Sequence, residues 1–230
     1  MKDGPKIASI AALIGDPARA NMLGALMHGG ALTATELALE AGVTKQTASA
    51  HLSKLATGGL VHPEPHGRHR YYRLADHDVA DLLESLMGVA VRAKALRIRP
   101  GPAEPALRHA RVCYDHLAGD LGVAVHDSFI RNKWLTLAKG KYTLTRLGRA
   151  KVSSFGIELS ELDTGTRPLC RGCLDWSARR QHLAGAVGAA LLDQIYARGW
   201  AKKKGNSRVV EFTRAGEAGL RRAFALPTDA

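Results

Sequence analysis

The start of the chain alternates short helical patterns with brief interruptions. Apolar residues recur at helical spacing in Ile7–Ile14 and again in Ala18–Met27, and Gly15-Asp16-Pro17 separates the two segments. His28-Gly29-Gly30 ends the second segment. The pattern therefore predicts two short helices joined by a tight break.

The next stretch predicts a helix, a tight turn and a second helix. Thr33 or Thr35 can cap the first helix, which covers Glu36–Glu40. Gly42 supplies the left-handed turn that follows it. Thr44 can accept backbone N–H bonds at the start of the second helix. This order is the pattern of a helix-turn-helix.

The second helix, which runs from Thr44 to about Thr57, has an apolar face and a polar face. Ala48, Leu52 and Leu55 share the apolar face at helical spacing. A small Ala48 lets the two helices cross closely. The other positions carry polar side chains that point away from this face or lie on its flank: Lys45, Gln46, Thr47, Ser49 and Lys54.

Two short strands are predicted directly after this helix. The segment 60–74 follows Gly58-Gly59 and has a turn signal at His66-Gly67. A strand, a turn and a strand in this place form a wing.

These features resemble the ArsR family of bacterial winged-helix repressors. The resemblance covers roughly residues 7–90, and it is carried by GDPARANML, by TELALEAGVTKQTASAHLSKLATGGLV and by the wing sequence RHRYYRL. It implies a homodimer, built from the first helix and the helix Val79–Val91. Such a dimer sets two recognition helices into successive major grooves of a double-stranded DNA operator.

The resemblance also implies which residues contact DNA. Ala50 stands where the family often carries a basic residue, so one contact is expected to be missing there. Glutamine can pair bidentately with adenine, while serine, threonine, lysine and arginine reach bases or phosphates. The expected contacts are Thr44, Lys45, Gln46, Thr47, Ser49, His51 and Lys54 on the helix, and Arg68 and Arg70 on the wing.

Composition agrees with a nucleic-acid partner. The 230 residues carry a formal net charge of +12, and most of this excess lies beyond residue 100. Aromatic residues make up only 5%, too few for the stacking surfaces that single-stranded nucleic acids require. The apolar run Ile7–Ile14 is too short to span a membrane, so we expect a cytoplasmic protein with no membrane partner.

A proline-rich segment divides the chain. Pro100-Gly101-Pro102-Ala103-Glu104-Pro105 opposes continuous helix and predicts a linker. We therefore expect a DNA-binding and dimerisation domain over residues 1–99 and a second domain over residues 106–230.

The second domain contains an internal repeat. His116-Leu117-Ala118-Gly119 recurs as His182-Leu183-Ala184-Gly185, and Leu144–Gly148 recurs as Phe212–Gly216. Each copy predicts a long helix, a β-hairpin and a closing helix that begins at a threonine. The expected fold class is mainly α with small β-hairpins (α+β): an N-terminal winged helix-turn-helix plus a C-terminal module of two helix-hairpin-helix repeats.

The metal sites known in ArsR proteins are not found at their usual places. Residues 35–40 contain no cysteine, and His77 has no second histidine on the following helix. Asp76 or Asp78 is therefore expected to cap that helix rather than to bind a metal.

Cysteines and histidines of the second domain form another candidate site. Two residues separate Cys113 from His116 and Cys170 from Cys173, a spacing that lets both members of a pair reach one ion. The candidate set is Cys113, His116, Cys170, Cys173 and His182. Zinc or another thiophilic metal, thiol redox chemistry and simple packing all remain open, because only the fold can join the pairs.

Together these patterns predict a transcriptional regulator that is not an enzyme. We expect a dimeric repressor that responds to a metal, a thiol-reactive compound or a small molecule. The alternative is a thiol-redox enzyme that uses Cys170 and Cys173. Against it, no βαβ pattern precedes these cysteines and no glycine-rich phosphate loop is present.

Overall fold

The chain divides into two units in the computed structural model, an N-terminal unit over Met1–Glu84 and a C-terminal unit over Ser85–Ala230. The structure describes residues 5–27, 30–66, 69–93, 104–138, 140–163, 167–175, 177–205 and 207–227. The division falls inside a helix, earlier than the proline-rich segment expected as the linker. Most of that segment lies outside the described residues.

The N-terminal unit has the elements of a winged helix-turn-helix. In chain order they are α1 (Ile7–Ile14), α2 (Pro17–Leu26), β1 (Leu32–Thr33), α3 (Ala34–Ala41), α4 (Lys45–Thr57), β2 (Val61–His66), β3 (His69–Leu74) and α5 (His77–Arg92), which continues past the unit's end. The predicted helices and the wing are all present, and their ends agree to within a few residues.

Side-chain caps fix the starts of these helices. Thr33, rather than Thr35, caps α3, and it forms a capping box with Glu36. Thr44 caps α4 by accepting from the backbone N–H of Thr47. Asp76 accepts from the backbone N–H of Val79 at 2.9 Å, which gives it the capping role expected at the start of α5.

The wing and the helix-turn-helix share one small core. The sheet has the order β1-β3-β2, with Leu32 opposite Tyr72 and Val61 opposite Leu74. Leu37 of α3 and Ala48 and Leu52 of α4 are fully buried or nearly so. This burial explains why α4 must turn its polar residues outward.

The C-terminal unit contains short helices and hairpins. In chain order they are α6 (Pro105–His109), β4 (Arg111–Cys113), β5 (His116–Ala118), α7 (Gly119–Arg131), β6 (Leu135–Ala138), β7 (Lys141–Leu144), α8 (Arg146–Ser154), α9 (Leu159–Leu162), β8 (Arg171–Asp175), β9 (Arg180–Ala184), α10 (Gly185–Ala197), β10 (Ala201–Lys203), β11 (Val210–Phe212) and α11 (Arg214–Ala223).

The same element order occurs twice in this unit. The first half, β4 to α8, and the second half, β8 to α11, each run hairpin, long helix, hairpin, closing helix. Thr145 and Thr213 cap the closing helices, as the sequence predicted. The hairpins β4–β5 and β8–β9 were not predicted, because their strands are short and carry few β-branched residues.

Each long helix packs against the first hairpin of the other half. Contacts join α7 to β9 and α10 to β5. Gly122 allows α7 to start close to β5 of its own half, since a Cβ there would meet the carbonyl oxygen of Leu117 at 2.4 Å, and that Cβ would lie in ordinary contact, 3.6 Å, with the Cβ of His182 in the other half. Gly188 has the same place opposite Leu183 and His116. The first hairpins of the two halves are thereby brought together.

Candidate DNA-binding helix and candidate metal centre

The exposed face of α4 carries most of the residues expected to contact DNA. Ala48, Leu52 and Leu55 anchor the opposite face in the core. As a result, five of the expected side chains of α4 are exposed to solvent: Lys45, Gln46, Thr47, Ser49 and Lys54. The face therefore offers amide, hydroxyl and ammonium groups to a partner outside the chain.

Thr44 has a structural role at the start of this face. Its hydroxyl accepts from the backbone N–H of Thr47 at 3.2 Å and lies 3.0 Å from the Thr47 hydroxyl. Both residues are exposed. Thr44 therefore orders the first turn of α4, where an approaching anion would meet the backbone N–H groups.

His51 differs from the other expected contacts because it is half-buried. Its Nδ1 lies 3.3 Å from Nη1 of Arg19, whose Nε and Nη2 donate to the carbonyl oxygens of Leu13 and Ala12. A guanidinium only donates hydrogen bonds, so His51 Nδ1 must accept here. The ring is fixed against α2, and only its Nε2 side is left for DNA.

One of the two wing arginines expected to contact DNA lies in the described part of the chain. Arg70 is exposed on β3, opposite Pro65 of β2. Arg73 on the same strand forms an ion pair with Glu64 at 3.4 Å. Arg68, the other expected wing contact, lies outside the described residues.

The candidate metal ligands meet on the two first hairpins of the C-terminal unit. Cys113 pairs with His116 across β4–β5, and Cys173 pairs with His182 across β8–β9. Directly opposite residues of an antiparallel pair place their side chains on one face. Each hairpin therefore presents one thiol and one imidazole together.

These four residues form a buried group, here called the Cys–His cluster (Cys113, His116, Cys173 and His182). One ligand atom from each residue lies within 4.8 Å of all the others. The Nε2 atoms of His116 and His182 are 3.1 Å apart, and the two rings are stacked. None of the three cysteines of the chain is in a disulfide.

A carboxylate behind the cluster orients one of its histidines. Asp115 Oδ1 lies 3.1 Å from His116 Nδ1, and Asp115 Oδ2 accepts from Arg167 at 2.8 Å. Burial raises the pKa of Asp115, but the hydrogen bonds from His116 and Arg167 outweigh it and hold the pKa below its usual value. The ionised carboxylate therefore fixes His116 with Nε2 toward His182.

Protonation in the cluster favours metal-binding forms. The hydrogen bond from Cys173 and those from the two histidines lower the pKa of Cys113 well below its usual value, against the opposing effect of burial. For His182, in contrast, burial is the main cause that lowers the pKa. A thiolate and a neutral imidazole are the forms that bind metal ions.

Cys170, the fifth residue of the expected set, is not part of the cluster. It packs in the large apolar core of the unit, where burial raises the pKa of its thiol to about 12. Cys170 lies just before β8, whereas Cys173 lies on that strand and packs with Cys113, Ala118 and Ala184 in a separate small group of buried residues. The structure therefore separates the two cysteines of the Cys-x-x-Cys pattern.

A buried ion pair beside the cluster was missed by the sequence analysis. Arg111 Nη2 donates to Asp175 Oδ2 at 2.7 Å, and the side chains are 1% and 0% exposed. Burial raises the pKa of Asp175, but Arg111, Ser177 and backbone N–H groups lower it to about 2. The pair joins β4 to β8. The only sequence signal for Asp175 was weak: the pattern Cys-x-Asp at Cys113-Tyr114-Asp115 occurs again at Cys173-Leu174-Asp175.

Among the residues that the structure describes, no helix is both long and apolar enough to cross a membrane.

Comparisons with known proteins agree with these features. A family described as a helix-turn-helix domain matches residues 14–64. A relative from Bacillus subtilis (strain 168), described as the uncharacterized HTH-type transcriptional regulator YdfF, is 39% identical over 213 residues. The match covers 93% of this chain and 94% of the relative, so it includes both units.

Solved structures match a smaller part of the chain. The homodimeric winged helix-turn-helix DNA-binding domain of Mb0332 from Mycobacterium bovis, a possible ArsR-family transcriptional regulator, is 31% identical and covers 42% of this chain and 86% of its own, with a TM-score of 0.35. The antimony-specific transcriptional repressor AntR is 25% identical, and the match covers 40% of this chain and 82% of AntR, also with a TM-score of 0.35.

Proposed function

Since this chain belongs to the helix-turn-helix transcriptional regulators, and its N-terminal sequence resembles the ArsR family, we propose that it is a dimeric repressor whose C-terminal unit receives the signal. The observation that carries the proposal is the exposed polar face of α4, held outward by a fully buried apolar face and followed by a wing. A protruding helix of this kind fits the major groove of a DNA duplex.

The chemistry of α4 suits base recognition. Gln46 can make two hydrogen bonds to adenine, and Ser49 can donate to or accept from any base edge. Lys45, Lys54 and Arg70 supply positive charge for phosphates, which sets the register of the helix on the duplex. Arg68 is proposed for the same role from the sequence alone.

Two apolar helices support the proposed homodimer. No residue of α1 is buried, although the helix is mostly apolar, and Ile7 is 77% exposed. On α5 the exposed apolar residues Leu82, Leu86 and Val89 share one helical stripe. Exposed apolar stripes favour contact with a second copy of the chain.

The proposed sensory domain covers residues 106–230 of the C-terminal unit and contains its two related halves. Its chemistry favours a metal or a thiol-reactive compound over other small molecules, since the Cys–His cluster brings two thiols and two imidazoles together among its buried residues. The alternative function, a thiol-redox enzyme, is less well supported because Cys170 and Cys173 lie apart and a thiol with a pKa of about 12 is a poor nucleophile.

DNase footprinting on the DNA upstream of the protein's own gene tests the proposal. We expect two protected half-sites about one helical turn apart, and a dimer mass by analytical ultracentrifugation. Protection that does not change between this DNA and a scrambled duplex, or a monomer mass, would contradict it.

A further inference from the structure

We infer that Cys113, His116, Cys173 and His182 form a four-ligand site for a thiophilic metal ion, with zinc as the leading candidate. The inference concerns the C-terminal unit alone. It holds whether or not the protein proves to bind an operator.

The ligand distances suit a tetrahedral ion after a small contraction. Two imidazole nitrogens at zinc–nitrogen distances near 2.0–2.1 Å lie about 3.3 Å apart in a tetrahedron. The two Nε2 atoms of the cluster are 3.1 Å apart. Two thiolates on zinc lie about 3.8 Å apart, and no two ligand atoms of the cluster are more than 4.8 Å apart. The ligands must therefore approach one another by up to about 1 Å.

The choice of ligands selects the class of metal. Two thiolates and two imidazoles favour zinc and other soft or borderline ions over calcium and magnesium, which prefer oxygen. All four residues are buried. A buried site with four protein ligands is of the closed type, in which the ion holds the fold together and no coordination position remains for a substrate.

A partner behind the ligands supports the assignment. A histidine that binds a metal usually donates its second ring N–H to a carboxylate or carbonyl, which fixes the tautomer. His116 makes this kind of contact through Nδ1 to the carboxylate of Asp115, and Arg167 donates a hydrogen bond to the same carboxylate. His116 is thereby held ready to coordinate through Nε2. Asp115 is a positioning residue in this site.

The positions of the four ligands indicate that a bound ion would link the two halves of the C-terminal unit. Each half of the C-terminal unit supplies one cysteine and one histidine from its first hairpin. Metal bound at the cluster therefore bridges the two halves beside the Arg111–Asp175 pair. We expect the C-terminal unit to be more stable with metal than without it, since binding energy at such a site contributes to folding.

Cobalt substitution in the full-length protein tests the site. Cobalt(II) is added to reduced, metal-free protein, and its absorption spectrum is recorded. We expect one equivalent per chain, with the intense visible bands of tetrahedral cobalt and a thiolate-to-cobalt charge-transfer band, both of which one equivalent of zinc should remove.

Three cysteine variants identify the ligands. Cys113→Ala and Cys173→Ala each remove a proposed ligand, and Cys170→Ala removes a buried thiol outside the cluster as the matched control. The charge-transfer band should weaken or vanish in the first two variants and stay unchanged in the third. Asp115→Asn should keep the tetrahedral bands but bind about 10–100-fold more weakly.

Several outcomes would overturn the inference. They are a wild-type protein that gives no tetrahedral cobalt spectrum, a spectrum without thiolate charge transfer, and a spectrum lost equally in Cys170→Ala. The wild-type spectrum decides the matter even where a ligand variant fails to fold. Because DNA is absent from the experiment, failure here would leave the proposed repressor function standing.

Discussion

The exposed face of α4 and the Cys–His cluster both consist of polar side chains, but the chain assembles them in opposite ways. The face of α4 comes from thirteen consecutive residues, and its polar groups lie in water. The cluster is buried and combines residues more than fifty positions apart. The difference teaches that an exposed functional face can be built by local spacing, whereas a buried one depends on the whole unit.

Burial also changes what each polar group requires. An exposed side chain on α4 is satisfied by water, so it is available to a partner. A buried ion or imidazole must find its partners inside the protein, because leaving it unmatched is costly. This explains why Asp115 contacts both His116 and Arg167, and why Arg111 pairs with Asp175.

The largest effect is expected where this buried network is broken. Arg111→Ala leaves Asp175 buried without its cation, so it should lower the free energy of unfolding of the C-terminal unit by about 3–5 kcal/mol. Urea denaturation followed by tryptophan fluorescence measures this unit alone, because all three tryptophans lie beyond residue 130.

Arg180→Ala is the matched control for this substitution. Arg180 pairs with Asp127 at the surface and its side chain is 61% exposed. Its loss should cost below about 1 kcal/mol. Equal destabilisation by the two variants would show that burial does not distinguish these pairs.

Substitutions on α4 should affect recognition rather than stability. Gln46→Ala or Ser49→Ala should reduce the discrimination between operator and scrambled duplex by about 1–3 kcal/mol, because each removes a base contact. Fluorescence anisotropy with both duplexes measures the loss. Ser153→Ala, at an exposed helical serine of the C-terminal unit, should change neither affinity. If the α4 variants discriminate between the two duplexes as well as the wild type does, Gln46 and Ser49 do not make the proposed base contacts.

A smaller effect is expected at the start of the helix-turn-helix. Thr33→Ala removes the capping box of α3 and should destabilise the N-terminal unit by about 1 kcal/mol. Thr35→Ala, two residues later at an exposed position, should have almost no effect. Amide hydrogen exchange in α3 reports the difference, and similar exchange in the two variants would argue against Thr33 as the cap.

The smallest effect is expected on the wing. Arg70→Ala should weaken binding to the operator and to scrambled DNA alike. It should also reduce the slope of log K against the logarithm of the salt concentration by about 1, because one phosphate contact and its counterion are lost. Arg73→Ala should change the slope less, since Arg73 is already paired with Glu64. A loss of discrimination in Arg70→Ala would instead place Arg70 among the base contacts.

Much of the N-terminal unit could be predicted because its signals are local. Helical spacing, the Gly42 turn and threonine caps act within a few residues, and the observed helices follow them. The contact between His51 and Arg19 could not be predicted, because the two residues meet only when α2 and α4 pack.

The candidate metal site could be predicted only in part. The sequence identified the residue types and the histidines His116 and His182, which recur at one offset. It could not show that two hairpins would bring them together. Cys170 was included because Cys-x-x-Cys is typical of metal-binding turns, but Cys170 packs in the large apolar core while Cys173 lies on the strand β8 beside Cys113.

The central claim joins the two proposals: metal bound in the Cys–His cluster stabilises the C-terminal unit, and we propose that this change alters the DNA binding of the N-terminal unit. The most direct test is operator affinity of metal-free and zinc-loaded protein, measured for the wild type, Cys173→Ala and Cys170→Ala. We predict a change of about 5–150-fold on zinc loading in the wild type and in Cys170→Ala, in either direction, and none in Cys173→Ala. Equal operator affinity with and without zinc in the wild type, or the same response in Cys173→Ala, would contradict the claim.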